Sequence, residues 1–232
     1  MQRVILPLRT LFRRREFVVA LAGFVVLGLS SSFVAPFLSM FGTIEVGMNP
    51  AAFGAFMMVT AVSSILIATW LSHRSDTHHS RRDMLLLGAT GGILGYVGFA
   101  FVRDVTGLIL IGSIALGVSS ITFSQLFAHA RESLGRAGVP AAEAPLYMNM
   151  FRMCFALAWT VGPAVAAATL HLYSYRGLFL VAALLQLLFV GIVAGFVPAT
   201  PRVTDAPGLP SVPMRANHWD APGCRPPRPR ST

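Results

Sequence analysis

The stretch from Tyr147 to Pro163, YMNMFRMCFALAWTVGP, decides the fold because it is almost wholly apolar and still carries an arginine well inside it. In a helix that begins near Pro145, Arg152 lies roughly 10 Å from the start, at about 1.5 Å per residue. A charge at that depth of a bilayer costs about 2.5–3.5 kcal/mol and usually faces a water-filled cavity or a partner rather than lipid. The stretch therefore predicts a membrane-spanning helix with one face on a cavity.

One face of this helix carries most of its polar and aromatic groups. At 100° per residue, about one third of the circumference holds Asn149, Arg152, Ala156, Trp159, Thr160 and Pro163. Phe151, Cys154 and Leu157 point elsewhere and leave the rest of the helix apolar. This layout is typical of a helix that separates lipid from a cavity.

The composition of the whole chain agrees with a membrane protein. Of its 232 residues, 55% are hydrophobic and 12% are charged, and the mean hydropathy is +0.68, well above the value usual for soluble domains. The net charge of +9 comes from arginines that lie between apolar runs rather than on one basic element, which argues against nucleic-acid binding. Cys154 and Cys224 lie in unrelated contexts and predict neither a disulfide nor a thiolate metal site.

Six apolar segments are long enough to cross a bilayer core, which needs about 20 residues. They run from Phe17 to Phe41, Ala51 to Leu71, Met84 to Val102, Thr106 to Ala128, Leu146 to Leu170 and Leu178 to Val197. The sequence therefore predicts an all-α membrane protein with six transmembrane helices. An even number of crossings places both ends of the bundle on one side of the membrane.

The distribution of arginine predicts the orientation of this bundle. The loops that face one way hold only Arg103 and Arg176, and cytoplasmic loops are the ones that carry an excess of basic residues. The ends and loops on the other side hold Arg3, Arg9, Arg13, Arg14, Arg15, Arg74, Arg81, Arg82, Arg131 and Arg136. We therefore expect a multi-pass protein of the bacterial inner membrane with both termini in the cytoplasm.

Composition divides the chain into three parts. Residues 1–16 form a basic cytoplasmic N-terminus, residues 17–197 form the six-helix transmembrane bundle, and residues 198–232 form a tail rich in proline and arginine. Such a tail cannot build a packed core, so we expect it to be disordered in the cytoplasm. It is either a native extension that contacts anionic lipid or an out-of-frame extension that follows a truncation.

The loop between the second and third predicted helices places Asp76 five and six residues before Arg81 and Arg82. The run WLSHRSDTHHSRR resembles the signature loop of the major facilitator superfamily, G-x-x-x-D-R-x-G-R-R, with Ser72 in place of the first glycine and Thr77 in place of the basic residue after the aspartate. The resemblance implies a latch, in which Asp76 accepts hydrogen bonds from a helix N-terminus of an opposite half and pairs with a nearby arginine. The alternative is an ordinary cytoplasmic loop with one acid.

The fourth apolar segment contains polar groups that would be costly in lipid. Gln125 and Glu132 are seven residues apart and share one face, while Ser120 and Ser124 mark another. Amides and hydroxyls can both donate to and accept from sugar hydroxyl groups, although serines in membrane helices also bond to their own backbone. Gln125 is the stronger candidate for binding because an amide left unpaired in hydrocarbon is expensive.

The remaining polar residues argue against an enzyme or a metal protein. His73, His78 and His79 lie in one polar loop without an acidic cage, so we expect solvated histidines rather than metal ligands. The sequence shows no nucleophile paired with a base and no phosphate-binding loop. It therefore predicts no enzymatic activity, no cofactor and no metal.

Four longer strings carry a resemblance to a narrower family. They are SSFVAPFLSMFGTIEVGMNPAAFG from Ser31, SSILIATWLSHRSD from Ser63, SITFSQLFAHARE from Ser120 and FALAWTVGP from Phe155. The strings resemble the bacterial sugar efflux transporters of the major facilitator superfamily, with a likeness that runs from about Phe17 to Val197. Members of this superfamily enclose their site between two six-helix halves. The resemblance implies that this chain is equivalent to the N-terminal half only.

Arg152 followed seven residues later by Trp159 also resembles lactose permease, in which an arginine binds sugar hydroxyls and a tryptophan stacks on the pyranose ring. A seven-residue step aligns both side chains, a guanidinium offers forked donors, and an indole covers the apolar side of a sugar. The resemblance implies that Arg152 and Trp159 bind substrate with help from Asn149 and Gln125. It also makes Glu132 a candidate ion-pair partner of Arg152 or a proton carrier. A structural salt bridge or a carbonyl-bonded arginine is the alternative for Arg152.

These observations together predict the export of small sugars or glycosides by alternating access, in a truncated half-transporter. Its partners would be the sugar, the lipid bilayer, and a second half-transporter or a second copy of the chain. Two other functions stay open. A non-transporting membrane fragment would leave sugar flux unchanged, and a multidrug exporter of the same superfamily would be expected to have an aromatic cavity and a membrane-embedded acid.

Overall fold

The computed structural model describes residues 15–78 and 80–196 of the chain. All the regular elements in these residues are helical. The predicted tail, residues 198–232, and nearly all of the predicted N-terminal segment, residues 1–16, lie outside the described residues. The three-part division of the chain therefore stays a prediction.

The helices follow the apolar segments of the sequence. The α-helices are Arg15–Val34, Leu38–Met40, Pro50–His78, Arg81–Phe101, Val105–Ile111, Gly117–Ser119, Ile121–Arg136 and Ala144–Phe196. A 3-10 turn at Ala35–Phe37 and π-helical turns at Phe41–Glu45 and Gly112–Leu116 continue some of them. Pro36 lies in the 3-10 turn, where the helix changes type because proline cannot donate a backbone hydrogen bond.

Four of the predicted spans form separate helical stretches of membrane length. The first span is Phe17–Glu45, the second Pro50–Leu71, the third Arg81–Phe101 and the fourth Val105–Arg136. The fourth span continues past its predicted end at Ala128 because Ala130, Ser133 and Leu134 stay buried against the bundle. Hydropathy alone missed this extension, since its exposed face is charged.

The fifth and sixth predicted spans are joined in one stretch of 53 residues, Ala144–Phe196. The helix is interrupted at Ser174, whose φ of 59° and ψ of −175° are not helical. We call residues 144–173 the fifth span and residues 175–196 the sixth span. A Cβ atom at Gly177 would overlap Tyr173, so the turn requires glycine there. The all-α membrane fold is confirmed, with six spans once this break is counted.

Glycines allow the first and fifth spans to approach each other closely. A Cβ atom at Gly28 would lie 2.9 Å from the Cβ of Ala158, and one at Gly162 would overlap Ser32. Ser32 itself donates a hydrogen bond to the carbonyl oxygen of Leu29, at 2.9 Å. Small residues at both contact points are typical of helix pairs in membranes, where close backbone packing replaces the hydrophobic effect.

Glycines of the third span likewise allow it to approach the fourth span closely. A Cβ atom at Gly91 would lie 2.9 Å from the carbonyl oxygen of Ala115, and one at Gly95 would lie 2.7 Å from the Cδ2 of Leu116. The backbones of the third and fourth spans therefore lie close together at Gly91, and the side chain of Leu116 occupies the space beside Gly95.

The core of the bundle consists of two aromatic-rich clusters. One is built around Phe17, Phe24, Tyr147 and Phe151, and the other around Phe41, Phe99, Tyr175 and Phe179. The second span contributes little to either, since 6% of its apolar window is buried, against 56% for the first and third spans. This span lies at the periphery of the bundle and leaves a long apolar helix face uncovered by the described residues.

Candidate functional site

Arg152 lies on the exposed side of the fifth span, next to the fourth span. Its guanidinium carbon is 5.7 Å from the centroid of the Phe127 ring, which is within the range of a cation–π contact. The two ion pairs among the described side chains do not include it. In the described part of the chain, the guanidinium of Arg152 therefore contacts an aromatic ring face rather than a carboxylate.

A row of aromatic rings connects Arg152 with Trp159. The ring centroids are 4.8 Å apart between Phe127 and Phe123, 4.8 Å between Phe123 and Phe155, and 6.3 Å between Phe155 and Trp159. We call Phe127, Phe123, Phe155 and Trp159 the aromatic row. The row was not predicted from the sequence, because two of its rings come from the fourth span and two from the fifth, and they meet only after folding.

The aromatic row borders a cavity of about 460 Å³, and small-molecule sites typically measure ~300–1,000 Å³. Phe123, Phe155 and Trp159 line it, and its surface is mostly apolar. Trp159 is 37% exposed, so its indole can be covered by a ligand. An amphipathic molecule in this cavity can lie against an aromatic surface. Through Phe127, the aromatic row continues from this surface to Arg152.

Several polar residues that line this cavity were not among the predicted site residues. Two of them are Tyr96 on the third span and Gln186 on the sixth span, both buried. The sequence did contain a signal for Gln186, which is the one amide in the apolar segment from Leu178 to Val197. Tyr96 carried no comparable signal, because a tyrosine in an apolar helix is compatible with ordinary packing.

Asn149 and Gln125 have different positions relative to Arg152. Asn149 lies one turn before Arg152 on the exposed side of the same helix. Gln125 is two residues from Phe127 and therefore points about 200° away from it around the fourth span. The structure thus does not group Gln125 with the aromatic row. Its Oε1 atom is buried and has no hydrogen-bond partner among the described residues.

Glu132 pairs with Arg81 and not with Arg152. The Nε atom of Arg81 lies 2.8 Å from Oε2 of Glu132, and both side chains are partly exposed. Glu132 follows Phe127 by five residues, which turns it about 140° away from the ring that contacts Arg152. The suggested Glu132–Arg152 pair is therefore not present, and the observed pair joins the start of the third span to the last turns of the fourth.

Arg82, the second arginine of the predicted latch, contacts the sixth span. Its Nη2 atom donates a hydrogen bond of 2.9 Å to the carbonyl oxygen of Ala194, where the carbonyls of a helix C-terminus attract cations. Ser80 caps the third span by accepting a hydrogen bond from the backbone N–H of Asp83. The side chain of Asp76 lies outside the described residues, so its part in a latch stays a prediction.

The chain has relatives among curated proteins. It is 37% identical over 189 residues to a protein of Deinococcus radiodurans named as a sugar efflux transporter, a match that covers 79% of this chain and 48% of that protein. It is also 30% identical to sugar efflux transporter A of Escherichia coli, over 84% of this chain and 49% of the relative. For sugar efflux transporter B of Salmonella typhimurium the identity is 32%, over 78% of this chain and 44% of the relative.

The chain belongs to the sugar efflux transporter family. It spans about half the length of the curated relatives it matches. No protein-family model matches the chain, and no solved structure matches it. Membership of the sugar efflux transporter family agrees with the resemblance found in the sequence, and the relatives are named as transporters.

Proposed function

We propose that the chain is one half of an exporter that moves small sugars or glycosides across the bacterial inner membrane by alternating access. The observation that carries this proposal is the aromatic row, which runs from the guanidinium of Arg152 to the indole of Trp159 beside a cavity. The names of the relatives support the substrate class.

The chemistry of the row suits a sugar ring, which has hydroxyl groups at its rim and C–H groups on its faces. Arg152 offers forked donors that no described carboxylate occupies. Trp159 offers a flat apolar surface for the face of the ring. Asn149, one turn from Arg152, adds an amide that both donates and accepts.

Gln125 is proposed as a separate polar contact on the other side of the fourth span. Its buried Oε1 atom lacks a partner in the described part of the chain, and a buried acceptor without a donor is costly. A hydroxyl group that reaches this atom during the transport cycle would remove that cost. Gln125 would then act at a different point of the cycle from Arg152.

A second six-helix unit would complete the site. The chain spans about half the length of its relatives, and the described residues leave the second span largely uncovered. Both observations support a partner that packs against the second span. Either a second copy of the chain or a separate half-transporter would supply the opposite wall. With both termini in the cytoplasm, the loop of Asp76, Arg81 and Arg82 would form the cytoplasmic gate, and the Arg81–Glu132 pair would hold it in place.

A multidrug exporter is the second candidate, and the aromatic row is the observation that favours it. Aromatic surfaces bind flat apolar cations as well as sugar rings. The two functions differ in what Arg152 does, since its positive charge would oppose a cationic drug and would bind a sugar hydroxyl. Substitution of Arg152 should therefore weaken sugar transport and strengthen the transport of cations.

The test is lactose efflux from vesicles that contain the full chain, compared with empty vesicles and with Arg152→Ala. Sugar export predicts that lactose leaves faster from vesicles with the native chain and that Arg152→Ala removes the difference. Met153→Ala is the matched control, because Met153 is exposed on the same helix and points about 100° away from Arg152. Equal lactose retention in all four samples would identify the chain as a non-transporting fragment.

A further inference from the structure

Three of the polar side chains that line the cavity come from the fourth and sixth spans. Gln186 of the sixth span and Thr122 of the fourth span line it and are each 1% exposed, and Ser119 of the fourth span lines it as well. Trp159 lines the same cavity. We call Gln186, Thr122 and Ser119 the polar wall.

The glycines of the third span make room for the polar wall. A Cβ atom at Gly92 would lie 2.8 Å from Nε2 of Gln186 and 2.9 Å from Oγ of Ser119, and a Cβ atom at Gly88 would overlap the Oγ1 of Thr122. Gly88 and Gly92 are spaced as a G-x-x-x-G pair, a pattern typical of close helix packing in membranes. In the structure this pair faces polar side chains, so its small size leaves room for an amide and two hydroxyls inside the bundle.

One member of the polar wall lacks an internal partner. The Oγ1 atom of Thr122 is buried and has no hydrogen-bond partner among the described residues. A buried hydroxyl without a partner costs free energy, and valine would fill the same volume without that cost. The group would gain its missing hydrogen bond from a molecule that enters the cavity and carries hydroxyl groups of its own.

We infer that the polar wall is a binding subsite for sugar hydroxyl groups, formed by Gln186, Thr122 and Ser119 and separate from the Arg152 contact. A sugar whose apolar face stacks on Trp159 has further hydroxyl groups that can reach this wall in the same cavity, where an amide and two hydroxyls can both donate and accept. The inference rests on the proposed export of sugars and adds to it a second set of specificity-determining residues, all three of them outside the fifth span.

The first experiment measures access to the wall. Ser119→Cys is introduced into the full chain, with Cys154 and Cys224 replaced by serine, and its rate of reaction with N-ethylmaleimide is measured with and without lactose. The inference predicts that saturating lactose slows labelling about tenfold or more. Ser124→Cys is the control, because Ser124 is exposed on the same span and does not line the cavity. Its labelling rate should not depend on lactose.

The second experiment separates binding from folding. Thr122→Val should reduce lactose affinity about fivefold to tenfold, the usual effect of one lost hydrogen bond in a site, while the thermal stability of the chain stays the same or rises. A wall that merely supports the fold would instead lower stability and leave the affinity unchanged. Gln186→Leu should reduce affinity at least as much, since it removes both a donor and an acceptor.

The outcomes distinguish this inference from the proposed function. If lactose binds and Arg152→Ala weakens it, but Ser119→Cys is not protected and Thr122→Val has native affinity, the polar wall is not a subsite and sugar export by the row still stands. If the native chain does not bind lactose in any of these assays, the proposed function fails and the subsite fails with it.

Discussion

The guanidinium of Arg81 and the carboxylate of Glu132 lie 2.8 Å apart and join the start of the third span to the end of the fourth. The two residues are 51 positions apart in the sequence, and both stay partly exposed. The pair connects the start of the third span to the fourth span on one side, while Arg82 connects it to the sixth span on the other.

Removing this ion pair should change stability only slightly. Both side chains are about half exposed, and exposed ion pairs contribute about 0.2–1 kcal/mol. We expect a double-mutant cycle of Arg81→Gln and Glu132→Gln to give a coupling energy below about 1 kcal/mol, measured by unfolding in detergent. The charge-reversed pair Arg81→Glu with Glu132→Arg should recover most of this coupling energy. A coupling above about 3 kcal/mol would mean that the pair is desolvated in the membrane.

Enlarging Gly162 should weaken the contact between the first and fifth spans. A Cβ atom at this position would overlap Ser32, so Gly162→Ala should lower the free energy of unfolding by about 1–3 kcal/mol. Gly191→Ala in the sixth span is the matched control, because nothing lies within 4 Å of a Cβ atom there. It should be neutral or slightly stabilising, since alanine favours helix. Equal thermal midpoints for the two variants would contradict the packing of these spans.

Replacement of Ser174 by glycine should stabilise the folded chain. Its φ of 59° and ψ of −175° lie in a region that is almost restricted to glycine and costs about 1–3 kcal/mol for other residues. Ser174→Gly should therefore raise the thermal midpoint of the chain, and Ser174→Val should lower it. Ser133 lies in the regular helix of the fourth span, so Ser133→Gly is the control and should lower the thermal midpoint. A loss of stability in Ser174→Gly would show that the fifth and sixth spans turn in another way.

Arg152 and Trp159 should contribute to lactose affinity in different ways. Arg152→Lys keeps the charge but loses the forked donors, so we expect a loss of affinity of about tenfold. Trp159→Leu keeps the apolar volume but loses the flat ring, and a loss of similar size is expected. Trp159→Phe should retain more affinity than Trp159→Leu. Isothermal titration of the purified chain with lactose provides the measurement, and native affinity in Arg152→Lys would exclude a role for the forked donors of the guanidinium.

The sequence predicted the membrane fold and the placement of Arg152 and Trp159 on one helical face. These features depend on local properties, namely the length of apolar runs and the period of a helix, which neighbouring residues determine. The sequence-based prediction ended the fourth span too early, at Ala128, because the last turns have a charged exposed face beside the buried one.

Only the tertiary structure decided which polar groups meet. Glu132 was suggested as a partner for Arg152, but its position around the fourth span directs it to Arg81. The aromatic row and the polar wall each combine residues of two helices, and the identity of neighbouring helices depends on long-range packing rather than on spacing within one segment. The sequence by itself therefore determined that a polar face exists within the membrane, and the packing of the spans determined what that face contacts.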